Sequence, residues 1–200
     1  MQAGLWHGGG RAVSGGTAAA ASPHGLPGAS PWIRRWSALV PAGGAVLDLA
    51  CGQGRHLRWF AGRGHPVTGV DRSAEALAAA GVPARLVCAD LENGPWPLPG
   101  ARFAGVVVTN YLWRALLPRI VDSVDAGGVL LYETFAAGNE TVGRPARPEF
   151  LLQPGELLRA CAALRIVAYE DGFLDAPARF VQRIAAVRLA PGPGPARYAL

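Results

Sequence analysis

Short apolar runs alternate with helix-forming stretches along most of this sequence, and that alternation leaves few folds open. The runs "AVLDLA", "PVTGV", "ARLVCAD", "RFAGVVVTN" and "GGVLLYETF" read as strands. They are apolar at successive positions rather than at alternate ones, as expected of parallel strands covered on both faces. Between them lie "RHLRWFAGRG", closed by glycine, "SAEALAAAG", capped by Ser73, "WRALLPRIVDSV", read as one helix through Pro118, and "PGELLRACA". Ahead of the first strand, Ser30-Pro31-Trp32 is an N-cap followed by proline at the first helical position, and it opens "WIRRWSAL". The two last β-rich runs, "LRIVAYEDGF" and "RFVQRIAAVRL", have no helix between them, so they should pair as an antiparallel hairpin at one sheet edge. The expected fold is α/β: a single doubly wound Rossmann-like domain over residues 30–190, with a mostly parallel seven-stranded sheet ending in that hairpin.

Composition agrees. The chain has 200 residues, half of them apolar, which suits one domain with a real core. No apolar run approaches the roughly 20 residues needed to cross a bilayer. Residues 1–29 are rich in Gly, Ala and Ser without periodicity and read as a flexible leader; residues 191–200 read as a Pro/Gly-rich tail. Cys51, Cys88 and Cys161 have neither metal nor disulfide spacing, which fits a reducing cytoplasm. All 19 basic residues are arginine, and the net charge is +5. The charge leaves a nucleic-acid partner open. The arginines are scattered, however, and only Arg34 and Arg35 are adjacent, so none is indicated. Oligomeric state is not legible.

In an open α/β sheet, ligands bind beyond the carboxyl ends of the strands. Here those ends are Asp48 to Gly54, Asp71, Asp90, Asn110-Tyr111 and Tyr132-Glu133. Gly52 and Gly54 let backbone approach a ligand and open a helix whose N–H groups favour an anionic group. Asp71 is placed to accept from two ribose hydroxyls. Asp90 is placed to accept from an exocyclic amine, with the Leu91 N–H beside it. Each has a plain alternative: a glycine turn, a helix-cap neighbour, the start of a turn. A dinucleotide would want a third glycine where Leu57 stands, and a chain without lysine cannot carry a P-loop lysine. Asp48 before the loop suits a cationic or zwitterionic ligand better than a pyrophosphate. S-adenosylmethionine, with its sulfonium, ammonium, carboxylate, ribose and adenine, finds a matching group for each.

The segments "VLDLACGQG", "VTGVDRS", "VCADLEN", "FAGVVVTNYL" and "VDAGGVLLYETF" together resemble the class I S-adenosylmethionine-dependent methyltransferases. Within that class the chain is similar to small bacterial proteins of the tellurite-resistance and thiopurine methyltransferase type. The resemblance implies Gly52 and Gly54 around the methionine part, Asp71 on the ribose and Asp90 near the adenine. Asp48, Ala50, Cys51, Arg72, Leu91 and Asn110 complete the expected cofactor set. The leading expectation is methyl transfer to a small-molecule acceptor. The alternatives are an RNA or protein acceptor, or a non-catalytic module that only binds the cofactor. Strand four ends Thr109-Asn110-Tyr111-Leu112, without the [DN]-P-P-[YF] of amino-group methylases.

Methyl transfer asks the protein mainly to align nucleophile, methyl and sulfur, and needs a base only when the nucleophile must lose a proton. Glu133, Tyr132 and Asn110 are the catalytic candidates; Glu133 is either a partly buried base or an acid satisfied by Arg144 or by backbone. Tyr111, Trp113, Arg114, Asn139, Glu140, Arg144 and Arg147 are the acceptor-side candidates. Arg144 and Arg147 either clamp an anion or are solvated, and Trp113 either walls the pocket or packs in the core. The long loop after strand five is a lid candidate. His56 either faces the ligand or packs locally.

Overall fold

The computed structural model describes residues 28–192 and 197–198, so the expected leader and tail lie almost wholly outside the described residues. The strands are β1 (Val46–Leu49), β2 (Val67–Asp71), β3 (Arg85–Cys88), β4 (Phe103–Thr109), β5 (Val124–Phe135), β6 (Arg165–Asp175) and β7 (Ala178–Val187). They form one sheet in the order β3-β2-β1-β4-β5-β7-β6. Strands β1 to β5 run parallel; β7 is antiparallel to both β5 and β6, which gives the expected edge hairpin. From β1 the chain winds out to β3, returns to β4 and continues the other way. The gap between β1 and β4 is therefore the topological switch point, where open α/β sheets hold ligands.

The helices are α1 (Pro31–Trp36), α2 (Arg55–Ala61), α3 (Ala74–Ala78), α4 (Leu117–Asp122) and α5 (Glu156–Ala160). Ser30 caps α1 by accepting from the Trp32 N–H, with Pro31 in the first turn, and Ser73 caps α3 by accepting from the Ala76 N–H. Helices α1, α2 and α3 cover one face of the sheet, where Trp32, Trp36, Leu57, Phe60 and Leu77 meet Val107, Leu131 and Ala185. Helices α4 and α5 cover the other, where Ile120, Leu157 and Cys161 meet Val106, Leu130 and Tyr132.

Two expectations change. The helix read through Pro118 is a 3-10 turn at Arg114–Leu116 followed by α4, because proline lacks an N–H and fits only the first helical turn. Strand β3 is not buried on both faces: it lies at the sheet edge, Arg85, Leu86 and Cys88 are exposed, and α3 is too short to cover it.

Candidate active site

Asp48, the penultimate residue of β1, has its side chain on the α1/α2 face, 1% exposed, and neither carboxylate oxygen has a hydrogen-bond partner. The chain then turns through Ala50, Gly52 and Gly54, all with positive φ (53°, 53° and 72°). Alanine is unusual in that region, so the turn is held there against a local cost of about 1–2 kcal/mol. A Cβ on Gly52 would meet nothing within 4 Å, so the loop opens onto free space at that point. The Gly52 N–H donates to Asp71 Oδ2 (2.8 Å) and the Ser73 N–H to Asp71 Oδ1 (2.9 Å), which fixes the carboxylate at the end of β2 while leaving it half-exposed. Cys51 is buried, and that burial, with Asp48 and Asp71 nearby, pushes its thiol well above the usual range. It stays protonated.

Asp90 takes the turn role that the sequence left open. Its oxygens accept from the Glu92 N–H, the Asn93 N–H and Asn93 Nδ2, and these bonds hold its carboxyl below the usual range. Leu91 beside it buries its side chain in the core. Arg72 is exposed, and its charge is felt by both Asp90 and Tyr111. Asn110 ends β4 with φ 54°, and its Oδ1 is buried without a partner. The Tyr111 hydroxyl is likewise buried and unpartnered; burial, with Glu92 and Asp90 close by, raises its pKa, so it remains a neutral donor. Among the described residues seven buried side-chain N or O atoms lack a partner, and five belong to Asp48, Asn110, Tyr111 and Arg179. Each such atom costs about 1–3 kcal/mol. All but the Arg179 atom lie at the ends of β1 and β4, the two strands of the switch point.

Glu133 lies near the carboxyl end of β5 on its α1/α2 face, 1% exposed. Its oxygens are engaged by the Ser30 hydroxyl (3.0 Å), Arg179 (3.4 Å) and Arg183 (3.4 Å). The expected partner, Arg144, is not involved; the arginines come from β7, where Arg183 sits opposite Glu133 in the antiparallel register. Arg55, at the start of α2, donates to Thr109 Oγ1 (3.2 Å); burial lowers its pKa, and the Asp48 and Glu133 charges oppose that shift. Ser30, Arg55, Arg179 and Arg183 are the neighbours of this carboxylate that sequence reasoning did not single out. The hairpin register was the signal that pointed to Arg183.

The structure gives several acceptor-side candidates partners within the fold. Tyr132 is fully buried on the opposite face from Glu133, and its hydroxyl donates to the Tyr111 carbonyl (2.8 Å). Adjacent strand residues point to opposite faces, so the two side chains lie on different sides of the sheet. Trp113 packs against the α4/α5 core. Arg114 binds Glu156 and the Glu149 and Leu151 carbonyls. Asn139 is buried within its own loop, donating to the Pro145 carbonyl and accepting from the Phe180 N–H. Glu140 accepts from the Gly138 N–H, Arg147 pairs with Glu149 and lies over Phe150, and Arg144 is exposed. The loop expected as a lid is thus stapled down by Arg114 and Asn139.

Residues 46–128 match the family model described as a methyltransferase domain. They are a methyltransferase domain. The sheet around it has the fold of class I, S-adenosylmethionine-dependent methyltransferases. The methyltransferase match begins at the first residue of β1 and stops within β5, so it takes in Asp48, Gly52, Asp71, Asp90, Asn110 and Tyr111 but not Glu133 or Arg179. Among solved structures, TehB from Haemophilus influenzae is 20% identical, with a TM-score of 0.60 over 78% of this chain; the chain spans 61% of that protein's length. An S-adenosylmethionine-dependent methyltransferase from Methanosarcina mazei is 15% identical, with a TM-score of 0.63 over 82% of this chain and all of its own. The glycopeptide N-methyltransferase MtfA, solved with S-adenosylhomocysteine, is 21% identical, with a TM-score of 0.54 over 78% of this chain and 87% of its own. No protein of curated function matches the sequence. Among the described residues, no helix is long and apolar enough to cross a membrane.

Proposed function

We propose that the chain transfers the methyl group of S-adenosylmethionine to a small-molecule acceptor held beside Glu133. The observation that carries the cofactor half is the set of unpartnered polar atoms on both sides of the switch point: two Asp48 oxygens, Asn110 Oδ1 and the Tyr111 hydroxyl. A zwitterionic ligand there satisfies them. Gly52 and Gly54 border its methionine part with Ala50, and Asp48 faces its ammonium. Asp71, already held by two N–H groups, accepts from the ribose with its remaining lone pairs. Asp90, Leu91, Arg72 and Tyr111 border the adenine.

The bound cofactor supplies a methyl carbon already activated by sulfonium, so the protein's work is alignment and exclusion of water. Helix α1 does the latter: Ser30 closes over Glu133, which leaves the carboxylate almost unexposed. A carboxylate so enclosed is reached by a small molecule more readily than by a strand of RNA or a folded protein, which favours the small acceptor. Asn110 and Glu133 orient it.

Titration calorimetry tests the cofactor half. S-adenosylmethionine is expected to bind the wild type, and Asp71→Ala to weaken it by about 10-fold or more, the loss of charge-assisted hydrogen bonds of about 1.5–3 kcal/mol. Equal affinity in the two proteins would sink the assignment.

A further inference from the structure

Four polar side chains form a buried line beneath α1, from the cofactor loop to the acceptor carboxylate: Asp48 and His56 at 1% exposure, Ser30 at 3% and Glu133 at 1%. Asp48 Oδ2 stands 3.6 Å from His56 Nδ1, ion-pair range rather than a hydrogen bond. On the other side of the ring, His56 Nε2 lies 3.3 Å from the Ser30 backbone nitrogen. The Ser30 hydroxyl donates to Glu133 Oε1 (3.0 Å), and Ser30 Oγ accepts from the Trp32 N–H (3.2 Å). A backbone N–H can only donate. His56 Nε2 must therefore present its lone pair, and the single proton of the neutral ring sits on Nδ1, facing Asp48.

We propose that His56 is a positioning residue: as the neutral Nδ1–H tautomer it holds the Ser30 backbone, and through Ser30 it holds both the start of α1 and the Glu133 carboxylate. This rests on the proposed function only in that Glu133 serves the acceptor. A doubly protonated imidazole offers two donors and no acceptor, so the Ser30 N–H would face another N–H and the contact would break. The consequence reaches the whole helix, because Ser30 is its N-cap and a six-residue helix has no stability of its own. The charged groups around the imidazole are Asp48 on β1 and Arg55 on α2, with Glu133 on β5 and Arg179 and Arg183 on β7 lying behind Ser30.

Two measurements on the full chain without cofactor test this. In the wild type, 15N imidazole shifts of His56 at neutral pH are expected to report the Nδ1–H tautomer; the Nε2–H tautomer would overturn the proposal, and this readout needs no variant to fold. Amide hydrogen exchange of residues 32–36, corrected for intrinsic rate and referred to α4 on the other face, is then compared between wild type and variants at neutral pH. His56→Ala is expected to open α1 about 10-fold or more, and His56→Asn, whose amide oxygen can accept from the Ser30 N–H, to restore it. Ser30→Ala should be open and Ser30→Thr restored. Wild-type exchange of α1 in His56→Ala contradicts the proposal. Failure here leaves the cofactor site standing, and failure of cofactor binding leaves this latch standing.

Discussion

Gly69 lies inside β2 without any ligand to approach, yet a Cβ there would meet Leu57 Cδ1 at 2.7 Å and Cys51 Sγ at 2.9 Å. The glycine is what lets the cofactor loop and α2 settle against β2. Gly69→Ala is expected to cost about 1–3 kcal/mol in urea unfolding, the usual range for overpacking a filled core. A change below about 0.5 kcal/mol, the level of an ordinary surface substitution, would mean the contact relaxes freely. At this scale much of the cofactor rim was legible. Asp48, Gly52 and Asp71 follow apolar runs whose length and composition fix where each strand stops, so their place at the rim follows from counting. Roles that depend on side-chain partners were not legible. Asp90 looks the same in sequence whether it awaits an amine or caps its own turn, and its contacts with Asn93 become visible only in the structure. His56 and Ser30 are 26 residues apart and meet only because the fold brings the start of α1 to α2.

At the scale of elements, strand alternation and hairpin register arrange the acceptor side. Period two separates Tyr132 from Glu133, and pairing β5 with β7 brings Arg183 to the carboxylate in place of Arg144. The sequence carried both rules, but the second could be applied only once the order of β5, β7 and β6 was known. The loop after β5 behaves similarly. Its length suggested a lid, while the structure ties it through Arg114 to Glu156 at the head of α5. Partial burial pushes the Glu156 carboxyl up, but the Arg114 fork, the Gln153 N–H and Arg159 outweigh it and hold it below the usual range. A carboxyl lowered in the folded state contributes stability above its unfolded value, near about 4.3, and loses it as pH falls through the folded value. Glu156→Gln is therefore expected to be less stable than wild type by about 1 kcal/mol at neutral pH, with the gap closing in the acid range below about pH 4. A gap that persists unchanged in acid would assign the effect to packing.

For the whole molecule, the sheet order places β1 beside β4 at the centre, and the unpartnered atoms of Asp48, Asn110 and Tyr111 gather at that seam. A hollow between α4 and α5, lined by Arg114, Leu117, Val121 and Glu156, opens on a different face and has no share in that arrangement. The methyltransferase match ends within β5, so it covers the cofactor half of the rim and stops short of the Glu133, Arg179 and Arg183 cluster. A crystal structure with S-adenosylhomocysteine bound tests the central claim most directly. The expected result is a ligand across the ends of β1 and β4, its ribose on Asp71 and its polar groups meeting Asp48, Asn110 Oδ1 and the Tyr111 hydroxyl. A ligand seated in the α4–α5 hollow, or one at the seam that leaves those atoms unpartnered, would contradict it.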